Sequence, residues 1–250
     1  MTDSIDTAAD RLIAARRTQQ PAPLAEIADE AAAYAVQARV GAALRLHPTP
    51  ARHWKSGGAT VETQTHAPLP DAGIWGSPAD GSRWPLFAPG VEAEVALRLK
   101  RDVTAAMAAA LDDDGARALV DAMTVTIELV DSRWQDGEQA PALAKLADYQ
   151  SHGALVVGAW RDYQPDHDWA AQALEVRIGA APVRSYRGSH SMVDPVRVLP
   201  GWLRHATAGG TTVPAGTVVT TGSWCGLLPA ARGDRVQVEF PGLGAVAVLL

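Results

Sequence analysis

The sequence contains a single cysteine, Cys225, among 250 residues. One cysteine excludes an intrachain disulfide framework and any metal site that needs several thiolates. Two interpretations of Cys225 remain, a small buried residue near the end of a strand or a reactive thiol. Because no neighbouring residue in the sequence would lower the pKa of the thiol, the pattern favours the buried residue.

Basic residues and long apolar runs are also few. The chain has 22 Lys and Arg against 28 Asp and Glu and a net charge of -6, without the basic stripe typical of nucleic-acid-binding proteins. No apolar run approaches the roughly 20 residues that cross a bilayer, and the start, MTDSIDTAADR, has acids where a secretory signal has basic residues. We therefore expect a cytoplasmic protein with neither a nucleic-acid nor a membrane partner.

The amino-terminal part of the chain has helical spacing. Residues 4–18 and 24–46 are rich in Ala, Leu, Arg, Glu and Gln, and their apolar residues recur three and four positions apart. Pro21 and Pro23 separate the two segments and predict a break between two helices. We predict an amino-terminal helical region over residues 1–47.

The rest of the chain, residues 48–250, is mostly strand-like, and we predict a β body in what is a single domain overall. Gly, Pro and Trp dominate up to residue 90 and indicate loops and brief strands. Helical patterning returns only at 103–123, interrupted by a turn at 112–115. Strand-like runs then follow, bounded by Gly and Pro: ALVVGAW, ALEVRIG, TVVTTG, DRVQVEF and GAVAVLL. The predicted fold class is α+β.

Two of these strand-like stretches carry acids on one face. GVEAEVALRLK, residues 90–100, alternates apolar and polar residues, and Glu92 and Glu94 stand at polar positions. Residues two apart on a strand share a face and lie about 6 to 7 Å apart. In TVTIELV, residues 124–130, the same alternation sends Glu128 away from the apolar side. Three carboxylates therefore leave the less apolar faces of two strands.

Such acids have two interpretations. If the three converge, burial and mutual repulsion oppose their ionised forms, and a divalent cation reverses that balance. Oxygen ligands favour Mg²⁺ or Mn²⁺ over zinc, which prefers nitrogen and sulfur. Alternatively, Arg98 and Lys100 stand on the same strand face as Glu92 and Glu94, and residues 90–100 form an edge strand with a solvated face of mixed charge. Periodicity alone does not show that the two strands are neighbours.

Several motifs resemble, in the same order, those of the fumarylacetoacetate hydrolase superfamily, and most closely its bacterial 2-oxopent-4-enoate hydratase and 4-oxalocrotonate decarboxylase branch. The resemblance extends from about residue 24 to residue 250 and rests on AYAVQ, PDAGIWG, GVEAEVAL, IELVDSR, LADYQSHG and TTGSWCGLLPAARGDRVQVEFPGLGAVAV. It implies a mixed β-sandwich roll with amino-terminal helices. It also implies a homo-oligomer, with a sister decarboxylase or hydratase subunit as a further candidate partner.

The resemblance assigns roles to particular residues. Glu92, Glu94 and Glu128 match the three metal ligands, with Mg²⁺ or Mn²⁺ as the implied cofactor. Lys55, in HWKSGG, matches a catalytic lysine that reaches the charged end of the substrate, and Ser151 matches a serine of the same pocket. Without the resemblance, Lys55 would be interpreted as a surface lysine and Ser151 as a turn residue.

Other matches are looser. Thr221 falls on a substrate-side loop of the family, and Asp71 and Asp148 fall on acidic motif positions that would shape the pocket and, for Asp71, bind substrate. The sequence departs from the branch after Lys55, where Ser56, Gly57 and Gly58 stand in place of an aliphatic residue and GLT, and at His190, which is followed by Ser instead of Pro. These departures surround the expected substrate and leave its identity open.

The predicted function is that of a metal-dependent hydratase, a lyase acting on a small-molecule 2-oxo acid. A 2-oxo or 2-enol carboxylate would chelate the ion through its carboxylate and C2 oxygens, and the ion would stabilise an enolate. A 2-oxopent-4-enoate-like dienoate is our first choice. Decarboxylation and acylpyruvase-type C–C hydrolysis use the same site and stay alternatives, as does a non-catalytic scaffold for a sister enzyme. Participation of His152 and His190 stays open.

Overall fold

The computed structural model describes residues 4–250. Residues 1–3, which begin the predicted helical region 1–47 and the acidic start of the chain, lie outside the described residues. Within 4–250 the α-helices are α1 (Ile5–Thr18), α2 (Glu30–Leu44), α3 (Ala105–Ala109), α4 (Asp113–Arg117), α5 (Ala142–Ala147) and α6 (Leu199–Ala206). Short 3-10 helices occupy Val61–Thr63, Asp71–Gly73, Gly137–Gln139, Tyr149–Ser151, Pro195–Val198 and Ala208–Gly210. Of the helices described, none is both long and apolar enough to cross a bilayer.

The strands form two sheets. They are β1 (His53–Gly57), β2 (Thr65–Pro68), β3 (Ile74–Gly76), β4 (Ala79–Asp80), β5 (Gly90–Leu99), β6 (Val120–Val130), β7 (His152–Val157), β8 (Arg161–Asp162), β9 (Ala173–Ile178), β10 (Arg184–Arg187), β11 (Val218–Thr220), β12 (Leu228–Pro229), β13 (Arg235–Phe240) and β14 (Gly244–Leu249). The larger sheet has the order β2-β1-β11-β5-β6-β7-β3, with β12 paired to β5 and β8 to β6. The smaller sheet has the order β10-β9-β13-β14-β4.

Both sheets are mixed, which confirms the predicted α+β class with a sheet-rich body. In the larger sheet β1 pairs with β11 and β3 with β7 in parallel, whereas β5 and β6 are antiparallel. The apolar faces of β5 and β6 lie in the main core, in which Val91, Val95 and Ile127 are fully or almost fully buried. Strands β13 and β14 pack against β6 on that side. The acidic face of β5 and β6 is therefore turned away from the smaller sheet.

A second apolar cluster joins the amino-terminal helices to a later segment. Residues of α1 and α2 pack with α5, with Trp134 and with Tyr149. Gln37, on α2, donates from Nε2 to the carbonyl of Leu146 at 2.6 Å, and its own carbonyl accepts from the Tyr149 hydroxyl at 2.7 Å. The helices thus support the segment that contains Ser151. The division into regions 1–47 and 48–250 stays a prediction.

Two predicted helices have different bounds in the structure. The prediction over 24–46 is wrong at its start because Asp29 caps α2, accepting a hydrogen bond from the amide of Ala32 at 2.8 Å, and residues 24–29 are not helical. The prediction over 103–123 is wrong at its end, since 120–123 belong to β6. Pairing with β5 outweighs the local helical spacing there.

Candidate active site

The three predicted acids meet on adjacent strands. In the antiparallel pair of β5 and β6, Glu92 lies directly opposite Glu128, and Glu94 lies opposite Thr126. One carboxylate oxygen from each of the three acids lies within 4.8 Å of the others. Glu94 and Glu128 are buried and Glu92 is half-buried. Because β5 lies between β11 and β6, the alternative of an edge strand with a solvated face is wrong.

Lys55 lies beside this cluster. Its Nζ is 2.6 Å from Oε1 of Glu128 and 3.4 Å from the carbonyl oxygen of Gln150. Burial alone would lower the pKa of the Lys55 ammonium, but the attraction of Glu128, Glu92 and Glu94 outweighs it and raises that pKa. Lys55 therefore stays cationic near neutral pH.

The acids differ in how their charge is balanced. Burial would raise the pKa of Glu128, but Lys55 and His152 outweigh it and lower the pKa to about 2. For Glu92 burial is the largest effect and raises the pKa to about 7, despite the opposing charge of Lys55. Burial and the charges of Glu128 and Glu92 raise the pKa of Glu94 to about 8. The charge of Lys55 therefore outweighs burial at Glu128 but does not outweigh it at Glu92 or Glu94.

The oxygen atoms of Glu128 fit a hard cation. Oε1 of Glu128 accepts from Lys55 and lies 2.9 Å from Nδ1 of His152. Oε2 is buried and has no hydrogen-bond partner among residues 4–250. A buried, unpaired carboxylate oxygen is costly, and a divalent cation that prefers oxygen ligands would satisfy it. Glu92, Glu94 and Glu128 together could hold such an ion.

Two threonines that sequence reasoning missed support Glu94. Oγ1 of Thr220 donates to Oε2 of Glu94 at 2.5 Å, and the amide of Gly222 donates to the same oxygen at 2.9 Å. Since the Thr220 proton is used in this way, its oxygen accepts from the Thr126 hydroxyl at 3.1 Å. Thr126 lies two positions before Glu128 and shares its strand face. The alternation of TVTIELV therefore already indicated that Thr126 faces the acids.

Two residues predicted to bind substrate lie elsewhere. The Thr221 hydroxyl is buried and donates to the carbonyl of Val95 at 2.7 Å, so it points into the sheet. The Asp71 carboxylate is exposed and lies 3.8 Å from Nδ1 of His53. Neither residue lines the two cavities that adjoin the acids. Their substrate-binding roles stay predictions.

Ser151 belongs to an unusual turn. Tyr149, Gln150 and Ser151 have φ values of 57°, 54° and 58°, in the left-handed region. For residues other than glycine this conformation costs about 1 to 2 kcal/mol each, so surrounding contacts must stabilise it. The Ser151 side chain is buried, and its hydroxyl has no partner in the part of the chain that the structure describes.

Arg133 and Asp148 clamp that turn. Nε of Arg133 donates to Oδ1 of Asp148 at 2.8 Å, and its two terminal nitrogens donate to the carbonyls of His152 and Asp148, at 2.7 and 3.0 Å. Arg16 adds a further contact to Oδ1 of Asp148 at 3.3 Å. The guanidinium of Arg133 thus holds the residues on both sides of the turn. Asp148 thus contacts Arg133 and Arg16, and its predicted role in shaping the pocket stays a prediction. Sequence reasoning did not identify Arg133.

The two histidines differ. Nδ1 of His152 donates to Glu128, while burial lowers the pKa of His152 and keeps the ring neutral. Both nitrogens of His190 are used within the protein: Nδ1 accepts from the amide of Met192 at 3.2 Å, and Nε2 donates to the carbonyl of Thr221 at 2.8 Å. His152 therefore orients a predicted metal ligand, and His190 fixes a loop.

Cys225 is half-buried, and its Sγ accepts from the amide of Ala93 at 3.4 Å. Burial raises the pKa of its thiol, which favours the unreactive thiol over the thiolate.

Two cavities adjoin the acids. The first, of about 220 Å³, is lined by Lys55, Ser56, Gly57, Gly58, Glu92, Glu94, Gln150, Gly222 and Ser223. The second, of about 260 Å³, contains Ser151, and Glu92 and Gln150 line both. A larger groove, of about 450 Å³, lies on the smaller sheet and contains none of the predicted site residues. Size alone therefore does not identify the candidate site.

Residues 33–249 match the family described as fumarylacetoacetate (FAA) hydrolase C-terminal. The chain belongs to this family, and the resemblance predicted from its motifs is confirmed.

The chain is similar to curated hydratases and to a decarboxylase of known structure. It is 30% identical over 165 residues to the 2-hydroxyhexa-2,4-dienoate hydratase of Comamonas testosteroni, and this region spans 65% of the chain but only 60% of that protein. It is 30% identical over 256 residues to the 2-keto-4-pentenoate hydratase of Paraburkholderia phymatum, covering 97% of the chain and 95% of that protein. The 4-oxalocrotonate decarboxylase of Pseudomonas putida G7, solved with magnesium and adipate, shares the fold with a TM-score of 0.81 at 20% identity, over 98% of the chain and 96% of that protein.

Proposed function

We propose that this protein is a divalent-metal-dependent hydratase that adds water to a 2-hydroxydienoate of the 2-oxopent-4-enoate type. Glu92, Glu94 and Glu128 would hold Mg²⁺ or Mn²⁺. The observation that carries the proposal is their convergence within 4.8 Å, with a buried oxygen of Glu128 that lacks a partner among residues 4–250. Similarity to a hydratase along nearly the whole chain supports hydration over the alternatives.

A bound divalent ion would supply Lewis-acid stabilisation of the negative charge that develops on the C2 oxygen. Ketonisation moves a proton from the C2 hydroxyl to C5 of the diene. Water then adds across the C3–C4 double bond, with its hydroxyl at C4 and its proton at C3. The product contains one water more than the substrate, and no oxidant or reductant is needed.

Lys55 would bind the anionic end of the substrate. Its raised pKa keeps it protonated, so we assign it charge neutralisation and hydrogen bonding, with the proton held on Nζ. It lines the first cavity together with Glu92 and Glu94. A cationic lysine beside three acids also reduces the net negative charge that repels an incoming carboxylate.

Ser151 would donate a hydrogen bond to the reacting chain or to the added water. Its hydroxyl is buried, lines the second cavity and has no other partner in the described residues. A donor that is desolvated and unpaired before the substrate binds gains a full hydrogen bond when an acceptor arrives. The turn that holds it is fixed by the clamp of Arg133 and Asp148.

The test of the proposal is an ultraviolet assay of dienoate consumption with Mg²⁺ present. We expect the purified protein to hydrate 2-hydroxypenta-2,4-dienoate, EDTA to abolish the reaction, and Glu92→Gln to lower kcat/KM by at least about 100-fold, as for a residue of the catalytic machinery. Glu239→Gln, an exposed acid on the smaller sheet, is the matched control and should retain full activity. Consumption of acylpyruvates alone, or release of CO₂ from 4-oxalocrotonate alone, would show that the hydratase proposal is wrong.

Decarboxylation is the second candidate, because the protein shares its fold with a 4-oxalocrotonate decarboxylase. The same metal site would serve either reaction, so product analysis by NMR separates the two. We also propose a homo-oligomer, which light scattering after size exclusion tests. A mixing experiment with a sister decarboxylase or hydratase subunit tests the scaffold alternative, which requires binding without turnover.

A further inference from the structure

We propose that the second cavity is a specificity pocket for an uncharged carbon chain that continues beyond C5 of the dienoate. This inference rests on the proposed function and names the class of substrate. It predicts that substrates with an alkyl extension are preferred over the five-carbon dienoate and over substrates that end in a second carboxylate.

The position of the cavity supports this role. Glu92 and Gln150 line both cavities, so the second adjoins the first at the predicted metal ligands. A chain whose C1 and C2 oxygens lie near Glu92 and Lys55 would pass Gln150 to enter the second cavity. There it would meet the Ser151 hydroxyl, which is buried and unpaired within residues 4–250. At about 260 Å³ the cavity is far larger than the space needed for one water molecule.

The walls of the cavity are mostly apolar. Phe87, Val130, Trp134 and Leu227 all line it. A Cβ atom at Gly90 would lie only 2.4 Å from Cδ1 of Leu227, so glycine at this position lets Leu227 lie against strand β5. Leu227 is 36% exposed, which is unusual for a large apolar side chain in the described residues. An apolar ligand would cover it and gain free energy from the buried surface.

The charges of the cavity argue against a second carboxylate. Besides Glu92, its charged lining residues are Asp131, Glu138 and Lys145, two acids and one base. Both oxygens of Asp131 already accept from backbone amides, those of Phe87 and Ala88, at 2.9 and 2.7 Å. Among residues 4–250, no arginine lines the cavity. A terminal carboxylate would lose its hydration without a net positive charge to replace it.

The first test compares substrates. We expect kcat/KM to rise from 2-hydroxypenta-2,4-dienoate to 2-hydroxyocta-2,4-dienoate by about fourfold for each buried methylene, and to be at least about tenfold lower for the analogue that ends in a carboxylate. Saturated 2-oxo acids provide a readout without turnover: with Mn²⁺ present, calorimetry should show 2-oxooctanoate binding more tightly than 2-oxoadipate.

The second test changes the pocket. Leu227→Trp should lower the ratio of kcat/KM for the eight-carbon over the five-carbon dienoate by about tenfold, because the larger ring fills the cavity. Leu227→Lys should raise kcat/KM for the carboxylate-ended substrate by about tenfold. Leu249→Trp, at an exposed leucine of the smaller sheet, is the control and should leave both ratios unchanged.

The outcomes separate this inference from the proposed function. If the five-carbon dienoate is hydrated but alkyl extension changes neither kcat/KM nor binding, the pocket assignment is wrong and the hydratase proposal stands. If the unaltered protein prefers a carboxylate-ended substrate, the pocket assignment is likewise wrong, and Lys145 would then bind the terminal carboxylate. If no dienoate is turned over and no Mn²⁺ binds, the proposed function itself has failed.

Discussion

Replacement of Lys55 by methionine tests the electrostatic balance of the site. Nζ of Lys55 lies 2.6 Å from Oε1 of Glu128, and both side chains are buried. At an effective dielectric constant of about 20 the attraction is about 6 kcal/mol. Methionine keeps much of the length of the side chain but leaves Glu128 without its cation, and losing one partner of a buried pair typically costs about 3 to 5 kcal/mol.

We therefore expect Lys55→Met to lower the free energy of unfolding of the metal-free protein by about 3 to 5 kcal/mol in urea at pH 7. Mn²⁺ at 100 times its Kd should then return about 2.7 kcal/mol. Lys100→Met, at an exposed residue that directly follows β5, is the control and should change the free energy of unfolding by less than about 0.5 kcal/mol. A Lys55→Met protein as stable as the unaltered protein would refute the buried ion pair and, with it, the charge assignments of the site.

Three further predictions follow from the same contacts. Because burial raises the pKa of Glu92 to about 7 and of Glu94 to about 8, the folded protein binds more protons than the unfolded chain, whose glutamates titrate near 4.3. Without metal, the free energy of unfolding should therefore fall as pH rises from about 4.5 to 8. Over the same range the affinity for Mn²⁺ should rise and binding should release protons, which calorimetry in two buffers measures. An affinity for Mn²⁺ that does not depend on pH would contradict this prediction. Thr220→Val should weaken Mn²⁺ binding about tenfold at pH 7, because Glu94 loses a hydrogen bond to its charged form, and binding should recover at pH 9. Arg133→Met should destabilise the protein by about 3 to 5 kcal/mol. Because it releases the turn at 149–151, it should raise KM for the substrate more than it raises the Kd for Mn²⁺. Equal changes in KM and in the Kd for Mn²⁺ would argue against the clamp.

Strand alternation was sufficient to predict which faces carry the acids. In GVEAEVAL and TVTIELV the apolar residues recur at every second position, so the period of two predicted both strands and the direction of each carboxylate. Alternation did not show that Glu92 and Glu128 are opposite each other, because cross-strand register depends on partners distant in the chain. The family resemblance supplied that expectation.

Other features depend on contacts that no local pattern contains. Ala122 and Met123 have helix-forming side chains, yet pairing with β5 makes them part of a strand. The left-handed turn at 149–151 has no glycine to indicate it, and the guanidinium that stabilises it comes from Arg133. Thr220 supports Glu94 from a strand 126 residues away. Such long-range partners explain why the acids were predictable and their supports were not.

The most direct test of the account is the stoichiometry of Mn²⁺ binding, measured by calorimetry on the metal-free protein and on Glu128→Gln. The account predicts one Mn²⁺ ion per chain in the unaltered protein and a loss of at least about 100-fold in affinity when the ligand oxygens of Glu128 are reduced in charge. A Glu128→Gln protein that binds Mn²⁺ as tightly as the unaltered protein, or an unaltered protein that binds none, would contradict it.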